Sequence, residues 1–161
     1  MNTEDYAQVF ELEQQQLLAE AGELLCRLVA KNDPLALIEF GNRHRLEPSE
    51  APEMYMPGKD LAKVEEYINK GIQSLEALAA VGDGEAMRQL GYIALGFYGP
   101  EYRAIELAEN WLLKAFAAGC HFASNDLFAL YQDSDESKAK HWYAEAEKHG
   151  CRVVFNARYE T

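Results

Sequence analysis

Positive charge and cysteine are both scarce in this chain of 161 residues. Lys and Arg number 15 against 27 Asp and Glu, so the formal net charge is −12 at pH 7. Such a surface repels phosphate backbones and anionic headgroups, which argues against nucleic acid or a membrane as the partner. The three cysteines, Cys26, Cys120 and Cys151, are odd in number and far apart. They favour reduced thiols and a cytoplasmic location over a disulfide framework.

Long apolar runs are also missing. No stretch approaches the roughly 18 apolar residues that a membrane-spanning helix needs. The acidic start, MNTEDYAQVFELEQQQ, has neither the basic region nor the apolar region of a secretory signal. Hydrophobic residues make up 48% of the chain and charged residues 26%, which is an ordinary globular balance. We therefore expect a soluble protein with one modest core.

The motifs of the common catalytic sites are absent from the sequence: there is no GxSxG, no HExxH, no CxxC pair and no glycine-rich phosphate loop. His141, Glu145 and His149 are spaced four apart and would share one helical face, so a zinc site in a metal-assisted hydrolase is the alternative hypothesis. That face carries no large apolar side chain, which favours a solvated surface. Cys120 and Cys151 each follow a glycine, and we interpret both as packing residues. The prediction is a protein that is not an enzyme and needs no cofactor or metal.

A helical pattern occurs more than once in the chain. The segments AENWLLKAFAAG, residues 108–119, and AKHWYAEAEKHG, residues 139–150, carry the same residue types at the same spacing. The alignment pairs Ala108 with Ala139, Trp111 with Trp142, Ala115 with Ala146, and Gly119 with Gly150. A weaker copy precedes them, with Ser74 at the tryptophan position and Gly82 at the glycine position. The repetition predicts stacked helical units.

Each repeated position has a physical reason. The alanine and the aromatic residue lie three apart on one helical face, where the ring fills space and the alanine allows another helix to approach. The glycine predicts a helix end in the left-handed conformation. A second helix follows, with alanine four residues after the glycine and leucine four residues further on, as in Ala86 with Leu90 and Ala123 with Leu127. Asp83 then lies at the N-cap position.

The repeated residues match much of the two-helix pattern of a known repeat family, whose helices read A-x-x-x-L-G-x-x-Y and K-A-x-x-W-Y-x-K-A-A-x-x-G. The segment AMRQLG keeps Ala86, Leu90 and Gly91, and KAKHWYAEAEKHG keeps Lys138, Ala139, Trp142, Tyr143, Ala146 and Gly150. The pattern resembles the Sel-one-like repeat family, relatives of the tetratricopeptide repeats, over about residues 71–150. The chain departs from the family pattern at Ala94, where tyrosine is usual, and at Phe128, where glycine is usual. The resemblance implies an all-α fold, a right-handed α–α superhelix built as a short solenoid.

The predicted organisation is a single domain over residues 1–161. An N-terminal capping helix would occupy residues 1–31, and Glu4 to Lys31 would form it as one helix. Residues 32–81 would form a degenerate repeat, with Asn32 at the glycine position and a long loop that contains EPSEAPEMYMPGKD. Residues 82–118 and 119–150 would be two further repeats. Residues 151–161 would form a C-terminal cap, a short strand or a frayed tail.

The resemblance implies a protein-binding adaptor or scaffold, because stacked helix pairs offer an extended surface and seldom carry a catalytic pocket. An acidic protein suits a basic partner protein, and an immunity protein that neutralises a cognate bacterial toxin is one version. A self-associating structural protein is the other alternative, so we expect a monomer or a weak homodimer. The predicted contact residues are Glu39, Asn42, Arg88, Gln89, Tyr92, Tyr98, Tyr102, Asn125 and Asp126. The tyrosines belong to the aromatic loop region GFYGPEY and the helix before it.

Overall fold

A computed structural model of the chain describes residue 1 and residues 3–151. Within those residues the chain forms eight α-helices and no strand, so the all-α prediction is confirmed. The helices are α1 Glu4–Gln14, α2 Leu18–Ala30, α3 Pro34–Arg43, α4 Leu61–Ala80, α5 Gly84–Ala94, α6 Ile105–Ala117, α7 Ala123–Tyr131 and α8 Glu136–Lys148. Short 3-10 turns, Pro48–Glu50 and Pro100–Tyr102, lie in the two longer connections. The predicted tail falls almost wholly on residues 152–161, outside the described part.

The chain divides into two compact units, Met1–Ala77 and Leu78–Thr161, called here the first and second units. In the first unit α1 packs on α2 and α2 on α3, while in the second α5, α6, α7 and α8 pack each on the next. Helices that pack in sequence order within a unit are the arrangement of a short helical solenoid. The repeat boundaries read from the sequence stay predictions.

The predicted stop residues do end helices. Gly82, Gly119 and Gly150 have φ angles of 92°, 90° and 65°, and Asn32 has 58°. In all four cases the next residue donates its N–H to a carbonyl five residues earlier, at 3.0 to 3.1 Å. This is the Schellman closure of a helix, which needs a left-handed residue and satisfies an orphan carbonyl. The four turns confirm the reading of the glycines and of Asn32.

Aspartates begin three of the helices that follow a turn. The side chain of Asp83 accepts the N–H of Ala86 at 2.9 Å, which confirms the predicted N-cap. Asp33 accepts the N–H three residues later at 2.9 Å, and Asp135 does so at 3.0 Å. A carboxylate at this position satisfies a free backbone donor and faces the positive end of the helix dipole. A left-handed stop residue and an aspartate cap together fix the turns at Asn32–Asp33 and Gly82–Asp83 to a few residues.

The repeated small residues lie in the core of the second unit. The buried repeat positions are Ala86, Leu90, Ala108, Ala115, Ala123, Leu127, Ala139 and Ala146. Trp142 is buried and meets Phe116 edge to face, with ring centroids 5.1 Å apart. Trp111 is only half-buried, and the ammonium of Lys114 lies 4.9 Å from its ring centroid. The two tryptophans, predicted to be equivalent, therefore differ in burial.

The first unit departs from the prediction at its start. Residues 4–31 form two helices, because Gln16 adopts a φ of 62° and Leu17 donates its N–H to the carbonyl of Leu12 at 2.9 Å. A single capping helix over this stretch is wrong, since glutamine here makes the same closure that glycine makes elsewhere. Further along, α3 and α4 come close at Gly71. A Cβ there would lie 2.5 Å from the Ile38 side chain.

Candidate functional site

The connection between α5 and α6 holds an aromatic cluster. Phe97 stacks on Tyr92 with ring centroids 4.1 Å apart and planes 9° from parallel. Tyr98 presents its ring at 68° to that of Tyr92, at 6.5 Å. Phe97 is nevertheless 61% exposed, although it is a large apolar side chain. A large apolar ring that a neighbour holds in place while it faces water offers contact area to a partner.

A cavity of about 220 Å³ lies beside this ring. We call it the Phe97 groove, and its lining residues are Leu95, Phe97, Arg103, Ile105, Ala129 and Leu130. They come from the end of α5, the connection, the start of α6 and the end of α7. The lining is apolar except for the Arg103 side chain. The groove has the size to receive one large apolar side chain of another molecule.

The predicted tyrosines are placed at or near this groove. Tyr92 and Tyr98 form the cluster with Phe97. Tyr102 is half-buried in the 3-10 turn Pro100–Tyr102 of the same connection. The connection is anchored at its end, because Ala104 donates its N–H to the carbonyl of Ala94 at 2.9 Å. The structure thus gathers an aromatic surface where the sequence showed an aromatic loop.

The polar residues of α5 and α7 that we predicted to contact a partner form hydrogen bonds within the protein. Arg88 donates through Nε to Asp126 at 2.6 Å and through Nη1 to Glu85 at 3.2 Å. Gln89 donates to Glu85 at 2.6 Å. Burial alone would lower the pKa of Arg88, but Asp126 and Glu85 raise it above its usual value. Arg88 and Asp126 are half-buried and join α5 to α7, whereas Gln89, also half-buried, pairs within α5.

Two predicted contact residues are buried. Asn125 donates through Nδ2 to the carbonyl of Cys151 at 2.6 Å, which ties α7 to the end of α8. Glu39 is only 7% exposed and accepts from Nε of Arg43 at 2.7 Å. Both residues lie outside the apolar stripe of their helix, and helices packed on both sides bury such residues as well. Asn42 is half-buried and accepts from Arg45 at 3.2 Å.

The Cys120 thiol is held as a protonated donor. Its Sγ lies 3.2 Å from Oε2 of Glu85 and donates to it. Burial, together with the Glu85 carboxylate, raises the pKa of Cys120 to about 12. A catalytic nucleophile needs the opposite shift, toward a thiolate at neutral pH. The geometry agrees with the interpretation of Cys120 as a packing residue.

The histidines of α8 do not converge on one point. The His149 ring stacks on that of His121 at 3.7 Å, and its Nε2 lies 3.5 Å from Glu145. His141 is exposed and lies edge-on to Trp142 at 4.8 Å. Over residues 1 and 3–151, no group of three or more His, Cys, Asp or Glu side chains is placed to hold a metal ion. The hydrolase hypothesis gains no support from this geometry.

The first unit contains a buried ionic cluster that the sequence did not reveal. The Arg43 guanidinium pairs with Glu13 and with Glu39, and it also donates to the carbonyl of Tyr55 at 2.9 Å. Glu13 in turn accepts the N–H of Tyr55 at 3.0 Å. Burial would lower the pKa of Arg43, but the two carboxylates raise it. The spacing of Glu39 and Arg43 signals a helical pair, whereas Glu13 lies 30 residues away.

A second cavity, of about 330 Å³, opens beside this cluster. We call it the Met54 groove, and its lining residues are Phe10, Glu13, Gln14, Gln16, Glu53 and Met54. It forms where the end of α1 meets the loop between α3 and α4. The Arg43 guanidinium lies 5.7 Å from the centroid of the Phe10 ring. The groove therefore combines an apolar wall with carboxylates.

Comparison with protein-family models, with curated proteins and with solved structures finds no match for this chain. The resemblance to Sel-one-like repeats therefore rests on the spaced residues alone. Among the described residues, no helix has both the length and the apolar character needed to cross a membrane.

Proposed function

We propose that this chain is a non-catalytic protein-binding module that holds another protein at the Phe97 groove. The supporting observation is the exposed Phe97 ring, stacked on Tyr92 beside a cavity that apolar side chains and Arg103 line. Covering such a ring releases water from apolar surface and contributes about 2 kcal/mol. An apolar side chain of the partner would fill the groove beside it.

The groove suits binding because it is formed before the partner arrives. Tyr92 holds Phe97 by stacking, and the bond from Ala104 to Ala94 fixes the end of the connection. Side chains and loops that are already ordered lose little conformational entropy on association. Aromatic residues with two rotatable bonds add contact area at low entropic loss.

The chemistry of the partner follows from the charge of the chain. A net charge of −12 accelerates the approach of a basic protein and disfavours acidic ones. We therefore propose a basic partner that carries a protruding apolar residue. A specific form of this proposal is an immunity protein that neutralises a cognate bacterial toxin. The chain itself would be a monomer or a weak homodimer that requires no cofactor.

Photocrosslinking tests the proposal. Benzoylphenylalanine placed at Phe97 should capture one partner in cells of the source organism. The same probe placed at Phe122 should not, although Phe122 is also an exposed phenylalanine of the second unit. Capture of the same protein from both positions would contradict the proposed site. If the probe captures a second copy of this chain and light scattering shows a dimer, the result would contradict a basic partner and support self-association.

A further inference from the structure

The Met54 groove lies next to an excess of buried negative charge. Glu13, Glu39 and Arg43 have formal charges of −1, −1 and +1, and all three residues are buried. One guanidinium is thus shared between two carboxylates. Charges removed from water act over longer distances than charges on the surface. The excess therefore favours a cation in the groove.

The lining of the groove adds to this charge. Glu53 is an exposed lining residue with a further formal negative charge, and the exposed Gln14 and Gln16 are polar lining residues. The described lining residues include no cation. Phe10 and Met54 provide apolar surface at the same place. An occupant must therefore combine an aliphatic or planar body with a positive end.

We propose that the Met54 groove binds an arginine side chain of a partner protein. The methylene groups of arginine would lie along Phe10 and Met54, and the guanidinium would pair with Glu53. Arginine fits better than lysine, because its planar fork can pair with a carboxylate and an amide oxygen together. The site is separate from the Phe97 groove and rests on the proposed function only in that the occupant belongs to a protein.

A small probe tests the site without the partner. Nα-acetyl-arginine methylamide is titrated into the full chain with labelled methionine methyl groups, and the NMR signal of Met54 is followed. We expect a saturable shift with a dissociation constant on the order of millimolar, as for one exposed ion pair with modest apolar contact. The signal of Met87, in the second unit, should not move. The citrulline analogue is the neutral near-isostere and should bind about two- to fivefold more weakly.

Two variants with the same change of charge complete the test. Glu53→Gln should weaken arginine binding by about threefold or more and leave the citrulline response unchanged. Glu20→Gln, an exposed position on α2, should change neither response. Equal binding of the two probes, the absence of a saturable Met54 shift, or equal effects of both variants would overturn the proposal. Because Phe97 is untouched, none of these results bears on the Phe97 groove.

Discussion

At the scale of the residue, Arg43 illustrates how a charge is kept in a small core. It is 2% exposed, and each of its guanidinium nitrogens finds an oxygen of Glu13, Glu39 or Tyr55. A buried ion cluster of this kind stabilises a protein no more than apolar packing does. Removing one partner, however, leaves a buried charge without a counter-ion, which is strongly destabilising. The integrity of the first unit therefore depends on this side chain.

Replacing the guanidinium should destabilise the protein severely. Arg43→Leu leaves Glu13 and Glu39 buried without a cation, and we expect the free energy of unfolding to fall by about 3–5 kcal/mol. Urea titration followed by circular dichroism measures the change. The control is Arg27→Leu on α2, which is exposed and should change stability by less than about 0.5 kcal/mol. Equal effects of the two variants would show that the cluster is dispensable.

Cys120 should behave as an unreactive thiol. Because its pKa is raised to about 12, its alkylation by iodoacetamide at about pH 8 should be at least tenfold slower than that of free cysteine. Glu85→Gln removes the neighbouring charge and should increase the rate several-fold, while Glu106→Gln should not. Peptide mapping by mass spectrometry gives the rates. Alkylation of the unmodified protein as fast as free cysteine would contradict the assignment.

The same thiol links stability to pH. Its folded-state pKa lies above the usual thiol value, so the folded chain holds the proton more tightly than the unfolded chain. The stabilisation that the Cys120 proton gives the folded chain is complete at pH values below the usual thiol pKa. It is lost as the pH rises toward 12. The melting temperature should therefore fall over this alkaline range, and less steeply in Cys120→Ser. Parallel curves for the two proteins would contradict this linkage.

At this scale the sequence predicted backbone roles better than side-chain roles. Gly82, Gly119 and Asp83 could be assigned because a turn or a cap depends on a few neighbouring residues. Glu39 and Asn125 could not, because their burial depends on helices packed from two sides. Two aromatic residues of the loop, Phe97 and Tyr98, do lie together with Tyr92 of α5, while the contact role of the tyrosines stays a prediction.

At the scale of the element, one closure recurs at helix ends. A residue in the left-handed conformation ends the helix, and the N–H of the next residue bonds to the carbonyl five residues before it. Glycine, asparagine and glutamine all occur as the left-handed residue. The closures at the glycines could be predicted from the sequence. The break at Gln16 was not, because glutamine carries no such preference and the packing of α1 on α2 selects the conformation. Local propensity thus predicted the regular turns, while tertiary contacts decided the exception.

Substitutions at Gly119 test this account of the closure. A Cβ there meets nothing within 4 Å, so only the backbone conformation opposes a side chain. Gly119→Ala should lower the free energy of unfolding by about 1 kcal/mol or more, because alanine is disfavoured in the left-handed region. Gly119→Asn should lower it by a smaller amount, since Asn32 occupies the equivalent place. Thermal unfolding of both variants provides the comparison, and an alanine variant as stable as the native protein would contradict it.

At the scale of the whole molecule, each unit has its own core and its own groove. The helical class follows from periodicity, whereas the proposed binding function depends on exposed apolar side chains in an acidic chain. Neither groove could be predicted, since each is lined by residues far apart in sequence, such as Phe97 with Leu130 and Phe10 with Met54. Fold alone does not define activity, so the binding account depends on these surfaces.

The most direct measurement is the affinity of the crosslinked partner, purified, for two matched variants of this chain. Phe97→Ala removes the stacked ring at the groove, and Phe122→Ala removes an exposed ring elsewhere in the second unit. Isothermal titration calorimetry should show binding at least about tenfold weaker for Phe97→Ala, equivalent to about 1.4 kcal/mol, and little changed for Phe122→Ala. Equal affinities for the two variants and the native chain would contradict protein binding through the Phe97 groove.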